Sequence, residues 1–169
     1  MPYDKTLRKL TNFDTDKQCF ACGPENEAGL RMEFFTDGET VYSWLKVPPH
    51  LCGWQQIVHG GIVTAIMDEV MSWTAHHLIR KIILTKSIQV EFHRPLRVDR
   101  EIRAEGRIYR LTGENEAELE ATIVDAADRA YASARATFAL LTARVALRLG
   151  VIDDRVAKNF EQFIATPTD

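Results

Sequence analysis

Two neighbouring carboxylates, Asp68 and Glu69, close the stretch Ile57-Val58-His59-Gly60-Gly61-Ile62-Val63-Thr64-Ala65-Ile66-Met67-Asp68-Glu69. A carboxylate held away from water can accept a proton or attack an acyl carbon. The adjacent glycines, followed by a long run free of Gly and Pro, predict one helix from about Gly61 to Ile79. The first N–H groups of such a helix have no internal partner and carry the positive end of its dipole, so they suit a developing oxyanion. Thr64, Asp68 and Ser72 are spaced by four and share one face.

Ile62, Val63, Ile66, Met67, Val70, Met71, Trp73 and Leu78 spread over nearly every face of that helix, the pattern of a helix covered by a sheet. Most helix carboxylates are surface groups, and the bland reading leaves Asp68 and Glu69 in solvent. The apolar surroundings and the glycine start favour a desolvated acid instead, with its pKa raised. His59 reads as a residue fixing the turn before the helix. His76 and His77 fall at the helix end, where the dipole favours them, and His93 lies on a strand. No Gly-x-Ser-x-Gly motif is present, so a serine triad is not signalled.

Cys19-Phe20-Ala21-Cys22-Gly23 has the form of half a zinc knuckle. His50 and Cys52 complete a four-ligand set on paper, but no second close pair exists, and a turn packed by small thiols is the favoured reading. The metal expectation is therefore none. Three cysteines, an odd number, argue against a closed disulfide framework.

The chain of 169 residues is long enough for one domain with a full core and short for two. With 46% hydrophobic residues, 27% charged residues and a net charge of −3, it reads as an ordinary globular protein. Arginines scattered among acids form no basic stripe, which argues against a nucleic-acid partner. No apolar run reaches the roughly eighteen residues a membrane span needs, and the N-terminus is no secretory leader, so the expected location is cytoplasmic.

The elements that must position the acid are readable as well. Residues 1–18, with Leu7, Leu10 and Phe13 as apolar points, read as a short helix or arm. Strands are expected from Leu30 to Phe35 and from Val41 to Val47, joined at Asp37-Gly38 as a hairpin that Pro48 and Pro49 end. After the helix come four alternating runs: Thr85 to Arg94, about Ile102 to Tyr109, Ala117 to Ile123, and Ala132 to Leu140. Strands in meander order, each with one apolar face, argue an antiparallel sheet wrapped around the only long apolar helix. Val156, Phe160, Phe163 and Ile164 after Asp153-Asp154 predict a capped terminal helix over about 154–165. The expectation is an α+β chain forming a single domain over residues 1–169, with its core at about 19–140, the arm 1–18 before it and a helical extension 141–169 after it.

These residues resemble the hotdog-fold acyl-CoA thioesterases, in particular the phenylacetate-pathway branch. The likeness rests on Cys19-Phe20-Ala21-Cys22-Gly23, on Ile57-Val58-His59-Gly60-Gly61-Ile62 with Asp68-Glu69, and on Thr85 leading to Phe92-His93-Arg94-Pro95. It spans roughly residues 19–140. A His-Gly-Gly alone is weak; a carboxylate nine residues after the His, between a hairpin and four strands, is specific. The resemblance implies a thioester hydrolase whose site lies between two protomers. Asp68 matches the family's catalytic carboxylate, general base or nucleophile, and Gly60 the residue whose N–H polarises the carbonyl. Ser72 matches a hydroxyl that orients water, and Thr85 a further hydroxyl near the site. His59, Gly61 and Glu69 adjoin these positions and are expected beside the substrate.

Where many relatives carry Asn or Gln six residues before the His, this chain has Gly53, so Gln55 or Gln56 is the candidate replacement. Arg94, Arg97, Arg100 and Arg103 cluster around Pro95, where forked guanidinium donors suit coenzyme A phosphates; the alternative is solvated sheet charge. Fixed donors at the carbonyl are worth ~3 kcal/mol each, and the reaction calls for no cofactor beyond the coenzyme A in the substrate. A single curved sheet leaves the helix and one edge uncovered, so a homodimer is expected, with a dimer of dimers (homotetramer) also open. The alternative functions are a non-catalytic acyl-CoA-binding hotdog module and, more weakly, a hydratase, for which no paired Asp and His is seen.

Overall fold

A computed structural model describes residues 7–12 and 17–166. Phe13, one apolar point of the arm, lies outside the described residues. The chain begins its sheet with β1 (Arg8–Lys9), β2 (Phe35–Thr36) and β3 (Thr40–Lys46), then enters the long helix α1 (Gly60–Thr74). One π turn, Ala75–Ile79, extends α1 before Arg80 reverses the chain at φ 59°. β4 (Ile82–Phe92), β5 (Glu101–Leu111), β6 (Glu116–Val124) and β7 (Ala130–Leu141) complete the sheet, and α2 (Ala143–Arg148) and α3 (Asp154–Ala165) come last. The seven strands lie in the order β1-β2-β3-β5-β6-β7-β4, every neighbour antiparallel. This is the expected α+β hotdog arrangement, a sheet wrapped around one helix.

Alternation decides which side chains meet that helix. Ile102 and Ala104 of β5, Ala117, Leu119, Ala121 and Ile123 of β6, and Ala132, Ala134, Ala136 and Phe138 of β7 are buried, while the alternate residues are more exposed. From α1, Val63, Ile66, Met67, Val70 and Met71 fill the same core. Gly106 sets the closest approach. A Cβ there would lie 2.4 Å from Thr74 Oγ1 and 2.8 Å from the Val70 carbonyl oxygen, so only glycine lets the helix seat on β5.

Several expectations are corrected. Of the four strands after the helix, β5, β6 and β7 form a meander, and β4 crosses to the far edge beyond β7; side-chain period fixes a strand's face and not its neighbour. β4 also starts at Ile82, before the expected Thr85. The run from Leu30 is not a strand throughout: Arg31 at φ 50° breaks it, Leu30 and Met32 donate to the Phe20 and Ala21 carbonyls at 2.9 Å, and only Phe35–Thr36 joins the sheet. In the arm, Arg8–Lys9 pairs as an edge strand rather than a helix. The terminal helix begins at Asp154, where the Asp153 carboxylate accepts the Val156 N–H at 2.8 Å. α2 has no counterpart among the expected elements; with α3 it encloses a second core of Ile82, Ala143, Ala146, Ala157 and Phe160.

Candidate active site

The start of α1 is capped by its own histidine. His59 Nδ1 accepts the Gly61 N–H at 3.0 Å, and the His59 carbonyl takes the Ile62 and Val63 N–H groups. Capping accounts for Gly61 and leaves the Gly60 N–H without a hydrogen-bond acceptor among the described residues. Gly60 borders a largely apolar cavity of about 370 Å³, whose walls include Ile57, Val63, Phe92 and Tyr131. Phe92, 58% exposed, stands opposite: a Cβ on Gly60 would be 3.5 Å from its ring.

Two turns on, Asp68 leans toward the sheet edge. Thr85 Oγ1 donates to Asp68 Oδ1 at 2.8 Å. Desolvation raises the Asp68 pKa above the usual carboxylate range, and the Thr85 hydrogen bond works against it. Ser72 lies one turn further along, but its hydroxyl donates to the Asp68 backbone carbonyl at 2.8 Å, so toward the carboxylate side it offers lone pairs only. Immediately after Thr85 the β4–β7 register slips by one residue, at Lys86. A bulge at this place re-aims the Thr85 side chain, and strand alternation alone gives no sign of it.

The other expected residues are dispersed. Gln56 Oε1 accepts from Arg97 Nη2 at 2.6 Å, and Arg97 Nε also reaches Asp99 at 3.3 Å. Gln55 and Gln56 both have positive φ, 37° and 72°, in the exposed loop before α1. Arg94 is half-buried against the Tyr131 ring at 4.3 Å, and its donors go to the Ala130 and Arg129 carbonyls and to Asp125. It lines the cavity beside Gly60 while bracing the β6–β7 connection.

Glu69 departs most from expectation. It turns away from Thr85 and accepts the Trp73 indole N–H at 2.9 Å, and its carboxylate lies beside Cys19 and Cys22, with all three donor atoms within 4.8 Å of one another. Burial pushes the Glu69 pKa up to about 7 against the hydrogen bonds it accepts. The Cys22 thiol, hydrogen-bonded to Cys19 and desolvated, is pushed up, while that hydrogen bond and nearby amides hold Cys19 down to about 5. His50, matched on paper with these cysteines, instead contacts the Ala28 carbonyl at 3.1 Å, and Cys52 is exposed. The knuckle-like spacing is the signal that consecutive residues offer; that residue 69 completes it depends on the fold.

Comparison with known proteins bears on this arrangement. Residues 55–132 match the family model described as the thioesterase superfamily. Over these residues the chain is similar to the thioesterase superfamily. The matched segment holds Gly60, Asp68 and Thr85, and excludes the Cys19–Cys22 loop. A search of curated proteins finds no sequence match.

Solved structures agree in fold. AziG of S. sahachiroi superposes with a TM-score of 0.60 at 23% identity, covering 65% of this chain and 90% of AziG. A thioesterase of Haemophilus influenzae gives 0.62 at 18% identity, covering 71% of this chain and 85% of its own. PaaI of E. coli, from the phenylacetic acid degradation operon, gives 0.60 at 15% identity, with 66% and 80% covered. The phenylacetate-type structure is thus one of several neighbours of similar likeness. Among the described residues no helix is long and apolar enough to cross a membrane.

Proposed function

We propose that this chain is an acyl-CoA thioesterase that works as a homodimer, joining Asp68 of one protomer to the Gly60 amide of the partner subunit. The supporting observation is spatial. Gly60 and Asp68 are eight residues apart on one helix, about 12 Å along its axis, too far for both to touch one thioester carbonyl. A second copy related by two-fold symmetry brings the two ends together. β4 supplies the seam: it is the last strand of the sheet, and Leu84 and Phe92 on it are 42% and 58% exposed. Pairing of two such dimers gives a tetramer.

In this reading the acyl chain enters the apolar cavity and the carbonyl oxygen accepts the Gly60 N–H. Asp68 takes a proton from water as the hydroxide adds to the acyl carbon. The tetrahedral oxyanion collapses, the carbon–sulfur bond breaks, and the coenzyme A thiolate takes the proton back from Asp68 to leave as thiol. Burial suits Asp68 to the task by making it a stronger base than a solvated aspartate. Attack by the Asp68 carboxylate itself passes through an anhydride; after a single turnover in ¹⁸O-water, label found in Asp68 assigns the nucleophile. His59 caps the helix, Gly61 and Thr85 hold the site's shape, and Arg94, Arg97, Gln55 and Gln56 frame the mouth where cytoplasmic coenzyme A esters arrive.

A panel of short, medium, long and aromatic acyl-CoA esters with a free-thiol assay tests the reading. Turnover by the wild type that vanishes in Asp68→Ala supports it; undiminished turnover by that variant overturns it. A second reading, a non-catalytic acyl-CoA-binding module, draws on Gly53 and on the engagement of Gln56 by Arg97, which leave no amide side chain committed to the carbonyl. Tight binding without thiol release selects it.

A further inference from the structure

We propose that Cys19, Cys22 and Glu69 form a binding site for one thiophilic divalent cation of the zinc type, with a water in the fourth position. The site does not depend on the thioesterase reading and uses none of the residues given a role under the proposed function. Three features carry it.

The first is distance. Two sulfurs and a carboxylate oxygen already lie within 4.8 Å of one another. Tetrahedral zinc with bonds of about 2.3 Å sets its sulfurs ~3.8 Å apart, so closure needs a shift of about 1 Å or less. Two thiolates with one carboxylate are a donor set that favours zinc over magnesium or calcium.

The second is the shape of the loop. The Cys22 N–H points at Cys19 Sγ at 3.5 Å, and the Gly23 N–H closes on the Cys19 carbonyl at 2.9 Å. Backbone donors aimed at a sulfur favour its thiolate. Gly23 cannot be replaced: a Cβ there would sit 2.5 Å from Cys19 N, Cys19 O and Lys17 O. Bonds from Leu30 to Phe20 and from Met32 to Ala21, both 2.9 Å, fasten the turn to the next segment. The two sulfurs are therefore held in place before any ion arrives.

The third is charge. Glu69 is an acid in the wall of the core, and among the described residues no Lys, Arg or His pairs with it. Its one defined donor besides the thiols is the neutral Trp73 indole. A desolvated carboxylate beside two thiols lacks a counter-charge, and a dication supplies it. With both sulfurs as thiolates, any S–H proton still present having gone to solvent, the thiolates, carboxylate and metal together carry a net charge of −1. The metal would pin the 17–32 loop to α1.

The test uses the full chain, reduced and stripped with chelator, then titrated with Co²⁺ and separately with Zn²⁺. The expected result is one equivalent of cobalt with an intense thiolate-to-cobalt charge-transfer band. Zinc is expected to lower the thiols reactive toward a disulfide reagent from three to one, the exposed Cys52. Cys52→Ser keeps the band, Cys22→Ser loses it, and Glu69→Gln weakens cobalt binding by about tenfold or more. Thiol protection is read on the wild type, so the test stands even where Cys22→Ser does not fold. Cobalt bound without the charge-transfer band, a band that survives Cys22→Ser, or three reactive thiols in saturating zinc overturns the proposal. A Cys19–Cys22 disulfide that forms in air in a reduced protein that takes up no cobalt also overturns it.

Discussion

The two halves of the central helix live in different surroundings. From Gly60 to Asp68 it borders a cavity and the open edge strand, with only Val63, Ile66 and Met67 fully buried. From Glu69 to Ile79 it is closed in: Trp73 stacks on Phe34 at 4.3 Å and on His77 at 5.3 Å, and Phe163 of α3 meets the His77 ring at 4.9 Å. Adjacent acids at the boundary take opposite parts, Asp68 facing the edge strand and Glu69 facing the cysteine loop. One helix thus keeps one end accessible because its other end is fixed by packing.

Four changes break or sharpen this contrast. The largest effect is expected from Asp68→Asn, which keeps the side-chain shape but removes the proton acceptor; thioester turnover should fall by about 10²–10⁴-fold with the melting temperature little changed. Loss of fold instead of activity in that variant, read by circular dichroism, would place Asp68 in the structural half. Next, Gly106→Val forces a side chain against Val70 and Thr74 and is expected to cost about 3 kcal/mol in denaturant unfolding.

The third concerns acid. Burial lowers the pKa of His76 and of His77 to about 4 from the usual 6.5, with the charges of His76, Arg8 and Arg80 adding to the effect at His77. The unfolded chain therefore binds these protons first, and stability is lost as pH falls from 6.5 toward 4. His77→Phe, neutral at every pH, should flatten that decline in thermal melts, and an unchanged slope would count against a buried neutral His77. The smallest effect is expected from Thr85→Val. Removing the hydroxyl that favours ionised Asp68 moves the acid limb of the rate profile to higher pH and lowers kcat/KM by about tenfold; a profile moving the other way would refute the role given to Thr85.

Legibility in the chain tracks periodicity. The helix from its glycine pair, the alternating faces of β5 to β7 and the cap at Asp153 are local patterns, and local patterns are written in consecutive residues. Position of a strand within the sheet is not, so sequence order sets β4 beside β5 rather than past β7. Arg31, in a left-handed conformation no composition announces, cuts short the strand expected at Leu30. In the site, Asp68 and Thr85 are legible as residues, while their 2.8 Å hydrogen bond waits on the bulge at Lys86. Arg94 looks like a phosphate donor in the sequence because its carbonyl partners at 129 and 130 are more than thirty residues away.

The π turn at Ala75–Ile79 also fixes a length. It holds one residue more than an α-helical turn, and Arg80 beyond it bonds the Phe163 and Thr166 carbonyls at 2.6 and 2.8 Å. Deleting one residue here would rewind the segment as ordinary helix, rotate the downstream chain by about 100° and carry Ile82 out of register with Leu141. The end of the helix therefore acts as a spacer whose residue count, more than its side chains, keeps sheet and C-terminal helices in phase.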